Sequence, residues 1–86
     1  MRLDMFLKMS RLVKRRTQAQ EMIQAGAVTL NGQRSKPAKE VRPGDRVSVT
    51  YPRRSVTVKV VDVPVRGTRK AEAGDCYELL EEIGLE

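Results

Sequence analysis

The chain has 86 residues, 40 % of them apolar, enough for one domain with a modest core and too many for wholesale disorder. Seventeen Lys and Arg against 11 Asp and Glu leave a net charge of +6, with no histidine and a single cysteine, Cys76. This inventory excludes an internal disulfide, a Cys–His metal cluster and a histidine general base.

In chain order, Leu3, Phe6, Leu7 and Ser10 follow the spacing of one helical face, with Lys8 on the other side and Asp4 in the first turn. Leu12 and Val13 continue the buried surface as the chain turns. Thr17 reads as an N-cap, Gln20 completes a capping box, and Gly26 fits the left-handed position that ends a helix. Helices are therefore expected at 3–10 and 17–25, the second burying Ala19, Met22 and Ile23. A strand over 27–30 runs into Asn31-Gly32, a strong signal for a two-residue hairpin turn. Pro43-Gly44 marks a second turn, after which Val47 and Val49, then Val56, Val58 and Val60, alternate with polar residues. Val65 to Asp75 is rich in Gly, Ala and charge and reads as a linker, and Tyr77, Leu79, Leu80 and Ile83 suit a short final helix ending near Gly84. The expected fold is α+β, two helices on a small, mostly antiparallel sheet. The expected division is a domain at 1–63 and a linker with an acidic tail at 64–86. No run of about 18 apolar residues and no signal-peptide pattern is present, and a lone cysteine suits a reducing compartment. The expectation is a cytoplasmic protein, complete as it stands.

Charge is segregated along the chain. Residues 1–59 hold 14 basic and 4 acidic side chains, and residues 60–86 hold 3 basic and 7 acidic ones. Three cations, Lys14, Arg15 and Arg16, precede the second helix, where each opposes the macrodipole at about 0.3–1 kcal/mol. The arrangement makes sense if an anion sits there, held by free backbone amides and arginine forks. Lys8, Arg11 and Arg2 extend the patch, and the Asn31 hairpin with Arg34, Lys36 and Lys39 offers a second edge, although Asn31 serves the turn first. Arg53 and Arg54 are weaker candidates, and Arg42 and Arg46 are read as solvated. Phe6 belongs to the core, which leaves Tyr51 and Tyr77 as the remaining aromatics and argues against a stacking platform for single strands. Structured RNA, recognised by backbone and shape, is the expected ligand. No catalytic constellation and no cofactor motif is present, so the expectation is a binding protein rather than an enzyme.

Several of these residues together resemble the S4 RNA-binding domain. They are Arg2-Leu3-Asp4 with Phe6-Leu7, Arg16-Thr17 with Ala19, Ile23-Gln24-Ala25-Gly26, Val28 with Asn31-Gly32, Lys36, and Val41 through Pro43-Gly44-Asp45, spanning about residues 1–49. A free-standing S4 domain that opens at residue 1, carries the run Lys8 to Thr17 and ends in a short tail containing Tyr77 is similar to the RqcP/YabO family. Bacterial heat-shock S4 proteins are related to it. The resemblance implies binding to large-subunit rRNA and to peptidyl-tRNA on stalled large ribosomal subunits. It also implies action beside a NEMF-type factor that adds alanine tails. The resemblance implies Arg2 and Arg16 as the leading RNA contacts, with Arg15, Lys14, Lys8 and Arg11 next. Asp4 either pairs with Arg2 or Arg16 or caps its helix. The acidic tail favours the RqcP branch over the heat-shock type, which has a longer basic extension. It touches protein, folds onto the body or hangs free. The alternatives are a rescue factor without tailing and a regulator of another structured RNA or of tRNA alone. The chain is expected to act as a monomer with no membrane contact. Removing charge at Arg15 and Arg16 is expected to weaken RNA binding and to spare folding.

Overall fold

A computed structural model describes residues 1–62 and 76–84. Helix α1 covers Leu3–Met9 and α2 covers Arg16–Gln24, followed by strands β1 (Val28–Leu30), β2 (Gln33–Arg34), β3 (Arg46–Thr50), β4 (Arg54–Val60) and β5 (Tyr77–Gly84). All strand pairs are antiparallel, in the spatial order β2-β1-β3-β4-β5.

The period-3.6 and period-2 patterns meet in one core. Leu3, Phe6 and Leu7 of α1 and Ala19 and Ile23 of α2 are buried with Val28, Val47, Val49, Val58 and Val60 of the sheet. Each large side chain among them contributes about 1.5–3 kcal/mol by leaving water. Register keeps the valines on one side: Val47 lies opposite Val58, and Val49 lies opposite Val56 and Val28. The outer face carries Thr29, Ser48 and Thr57, with Ser48 and Thr57 hydroxyls 3.0 Å apart.

The expected hairpin forms as read. Asn31 (φ 52°) and Gly32 (φ 80°) are both left-handed, which a two-residue turn between twisted strands demands. The Asn31 side chain finishes the turn, accepting from the Arg46 amide at 2.9 Å and donating to Asp45 at 3.2 Å. Gly26 (φ 81°) ends α2, and a Cβ there would meet the Arg34 side chain at 3.1 Å. At the other end of the core, the Tyr51 hydroxyl donates to the Leu12 carbonyl, tying the β3–β4 turn to the loop between the helices.

Two expectations are corrected. Thr17 is not the N-cap: Arg15 occupies that position in extended conformation, with no side-chain capping bond, and Gln20 bonds elsewhere. The final helix is a strand. Leu79, Leu80 and Ile83 do fit a helical face, but β4 has an edge whose amides and carbonyls need partners, and pairing overrides local propensity. Tyr77 lies opposite Val60 and Leu79 opposite Val58, with a register shift at Thr57/Val58 that accommodates the adjacent Leu79 and Leu80. Of the expected tail, residues 77–84 thus fold onto the body, whereas the linker at 65–75 lies outside the described residues.

Candidate nucleic-acid interface

The site is built around one buried carboxylate. Asp4, in the first turn of α1, has no solvent exposure. Its Oδ1 accepts from Arg2 Nε at 3.2 Å and from the Met5 amide at 2.8 Å. Oδ2 accepts from Arg2 Nη2 and Arg16 Nε, both at 3.2 Å, and from Gln20 Nε2 at 2.8 Å. Asp4 pairs rather than serving as the cap of α1: it holds Arg2 by a two-pronged fork and Arg16 by one bond. Burial pushes the Asp4 carboxyl up. The bonds from Gln20, Arg16 and the Met5 amide, with the Arg16 charge, outweigh burial and hold it below the usual carboxylate range.

The two arginines remain about half open to solvent, 47 % for Arg2 and 42 % for Arg16. One negative charge against two positive ones leaves the cluster cationic, and both guanidinium groups are fixed before any ligand arrives. Preorganised donors lose less rotamer freedom on binding an anion. Arg16 is the first residue of α2, so its charge stands where free helix amides also face an anion.

The segment after the hairpin completes the surface. Carbonyls of Lys39 and Pro37 accept from the Leu3 and Asp4 amides at 2.8 and 3.2 Å, and the Val41 amide donates to the Met1 carbonyl at 2.8 Å. These bonds satisfy amides that open α1, which has no capping side chain. They also bring Lys36 beside Arg2: an open groove of about 620 Å³ is lined by Arg2, Gln20, Gln24, Ser35, Lys36, Pro37 and Ala38. A second hollow lined by Gln33, Arg34, Ser35, Lys36, Ala38 and Lys39 shares Ser35, Lys36 and Ala38 with it. The result is one basic trough from the Asp4 cluster to the hairpin.

The structure therefore brings together Arg2, Arg16, Lys36 and Lys39 and adds Gln20 and Gln24. Arg16, Gln20 and Gln24 recur every fourth residue and so form one stripe of α2, a signal present in the sequence but spent there on a capping box. Lys8 lies one turn beyond Asp4 on α1. Lys8, Arg11, Lys14 and Arg15 are exposed and make no ion pair among the described residues. Arg11 has a left-handed backbone, φ 62°. Asn31 and Arg34 have structural employment. Arg34 Nη2 donates to the Gln24 carbonyl at 2.9 Å, placing a cation at the C-terminal end of α2, where the dipole favours it. Arg16 also departs from the expectation that its loss spares folding, because Asp4 would then be left with one arginine. Among the described residues, no cluster of His, Cys, Asp and Glu is suited to a metal.

The S4 domain family model matches residues 1–47. The RQC P-site tRNA stabilizing factor of Bacillus subtilis is 44 % identical over 85 residues, covering 99 % of this chain and 98 % of that protein. Its counterpart in Streptococcus pneumoniae is 35 % identical over 86 residues, covering 100 % and 97 %. Heat shock protein 15 of Escherichia coli is 38 % identical over 77 residues, covering 90 % of this chain and 58 % of that one. The solved trimeric structure of Vibrio cholerae heat shock protein 15 superposes with a TM-score of 0.83 at 30 % identity, covering 93 % of this chain and 81 % of that one. With a matching domain, near full-length relatives and a shared fold, the chain belongs to the S4-domain family, in the branch of the RQC P-site tRNA stabilizing factors.

Proposed function

We propose that this protein binds structured RNA without catalysing a reaction, stabilising peptidyl-tRNA on stalled large ribosomal subunits in ribosome-associated quality control. The observation that carries the reading is the Asp4 cluster. A buried carboxylate aims two half-exposed arginines at one end of a basic trough, an arrangement suited to phosphate oxygens along a folded backbone. The names of the relatives supply the biological setting, tRNA in the P site.

In this reading Arg2, Arg16 and Lys36 contact RNA phosphates, Lys8, Arg11, Lys14 and Arg15 extend the contact, and Asn31 and Arg34 support the hairpin edge. Residues 1–63 form the RNA-binding domain, and 64–86 form an appended segment. The partners are large-subunit rRNA, tRNA and a NEMF-type alanine-tailing factor, met in the cytoplasm by a monomer. The likeness to heat shock protein 15 is compatible with rescue of blocked subunits without tailing but does not favour it over the first reading.

Crosslinking to RNA in living cells, followed by sequencing of the attached fragments, tests the proposal. Reads concentrated on large-subunit rRNA together with tRNA, and lost in Arg15→Ala with Lys36→Ala, two exposed positions outside the Asp4 cluster, are the expected result. Reads scattered over unrelated transcripts would retain the fold and overturn the function.

A further inference from the structure

The sheet ends differently on its two sides. β2 is a two-residue edge, too short to recruit another strand, whereas β5 is eight residues long, and no described strand pairs with its outer side. Long edges of this kind template further pairing unless something blocks them. β5 is also unusually apolar for an edge: Leu79 is 53 % exposed, Leu80 43 % and Ile83 48 %. Register puts Leu79 opposite the core residue Val58 and Ile83 opposite Ser55, on opposite faces of the sheet. A body packed on one face would cover only one of them. A strand added alongside β5 flanks both, because its own side chains alternate between the faces.

Charge selects the occupant. Glu82 pairs with Arg54 at 3.2 Å, but Glu78 and Glu81 make no ion pair among the described residues. Glutamates along this edge repel RNA phosphates, and two copies of the edge side by side would gather the glutamates of both along one seam. A cationic polypeptide meets the opposite condition. We infer that the free edge of β5 is a docking strand for an extended segment of another protein in which Lys or Arg alternates with apolar side chains, added to the sheet as a sixth strand. The basic trough takes RNA, and this edge takes protein.

The test is NMR of the full chain, titrated separately with two strand-length synthetic peptides, one alternating lysine with valine and one alternating glutamate with valine. The lysine peptide shifts the amide signals of 77–84 and slows their hydrogen exchange, and the glutamate peptide does not. Leu79→Ser with Ile83→Ser weakens the lysine peptide about tenfold by removing apolar contact. Glu78→Lys with Glu81→Lys reverses the preference between the peptides, and both variants alter only exposed side chains, so an unchanged signal pattern elsewhere verifies folding. Four results each overturn the inference. They are no shift with either peptide, equal binding of both, shifts of 77–84 that depend on protein concentration alone (a second copy), and edge amides already slow to exchange in the free chain.

Discussion

Asp4 and Arg11 stand in opposite relations to stability: the first holds the site and the fold together, and the second strains its backbone. The Asp4 carboxylate is buried, which disfavours its charge, yet its hydrogen bonds and the Arg16 charge lower its pKa in the folded protein. A carboxyl whose folded pKa lies below its unfolded value contributes fully above the unfolded value, near 3.8. That contribution declines as pH falls below this point and is gone below the folded value. Acid unfolding followed by circular dichroism is therefore expected to begin as pH drops below about 4 in the native chain. In Asp4→Asn this pH-dependent component is absent and stability at neutral pH is lower by about 1–3 kcal/mol. An unchanged acid profile in the variant would show that Asp4 is not the controlling group. Arg11 makes the complementary point. Its left-handed backbone (φ 62°) suits glycine, and a side chain there costs about 1–2 kcal/mol. Arg11→Gly is expected to raise thermal stability by about 1 kcal/mol while weakening RNA binding. Stability and affinity moving in the same direction would mean that Arg11 serves the fold.

At the scale of elements, local signals in the chain were sound where the interaction itself is local. The helix faces of α1 and α2, the Asn31-Gly32 turn and the left-handed Gly26 all depend on neighbours within a few residues, and all were legible. Thr17 falls one position inside the helix because a cap is defined by where the helix starts, and Arg16 enters the helix when its side chain reaches Asp4, twelve residues back in the chain. The two positions therefore separate cleanly in a thermal melt. Thr17→Ala is expected to change stability by no more than about 0.5 kcal/mol, half or less of what loss of a true cap typically costs. Gly26→Ala is expected to cost about 1–2 kcal/mol, since it combines φ 81° with a clash against Arg34. The sequence of β5 carries a helical pattern because Glu and Leu are good helix formers, and no residue near it announces a strand partner. Its partner is β4, whose Val58 and Val60 are buried together with Cys76 at the entrance to β5. Ending the chain before Cys76 is expected to destabilise it by at least about 2 kcal/mol, read from denaturant unfolding. A truncated chain as stable as the whole would remove β5 from the cooperative fold.

For the molecule as a whole, the segregation of charge becomes a division of surfaces. The basic half forms α1, α2 and the trough, and the acidic end lies along the far edge of the sheet, with β3 and β4 between them. If RNA is held as proposed, by about four phosphates on Arg2, Arg15, Arg16 and Lys36, its affinity falls roughly a hundredfold between about 50 and about 200 mM salt. Affinity independent of salt would rule out a phosphate-dominated interface. The α+β class, the two helices, the hairpin and the basic character of the N-terminal half are written in the chain order, because periodicity, turn chemistry and net charge are carried by residues close together in the chain. The motif around Arg2 and Arg16 also singles them out as candidates for the RNA contacts proposed above. That Asp4 holds both arginines, that Gln20 joins them, that Lys36 lies beside Arg2 and that the acidic end is a strand emerge with folding. Each of those rests on partners distant in sequence, and the burial, register and hydrogen bonding that select them exist once the chain has closed on itself.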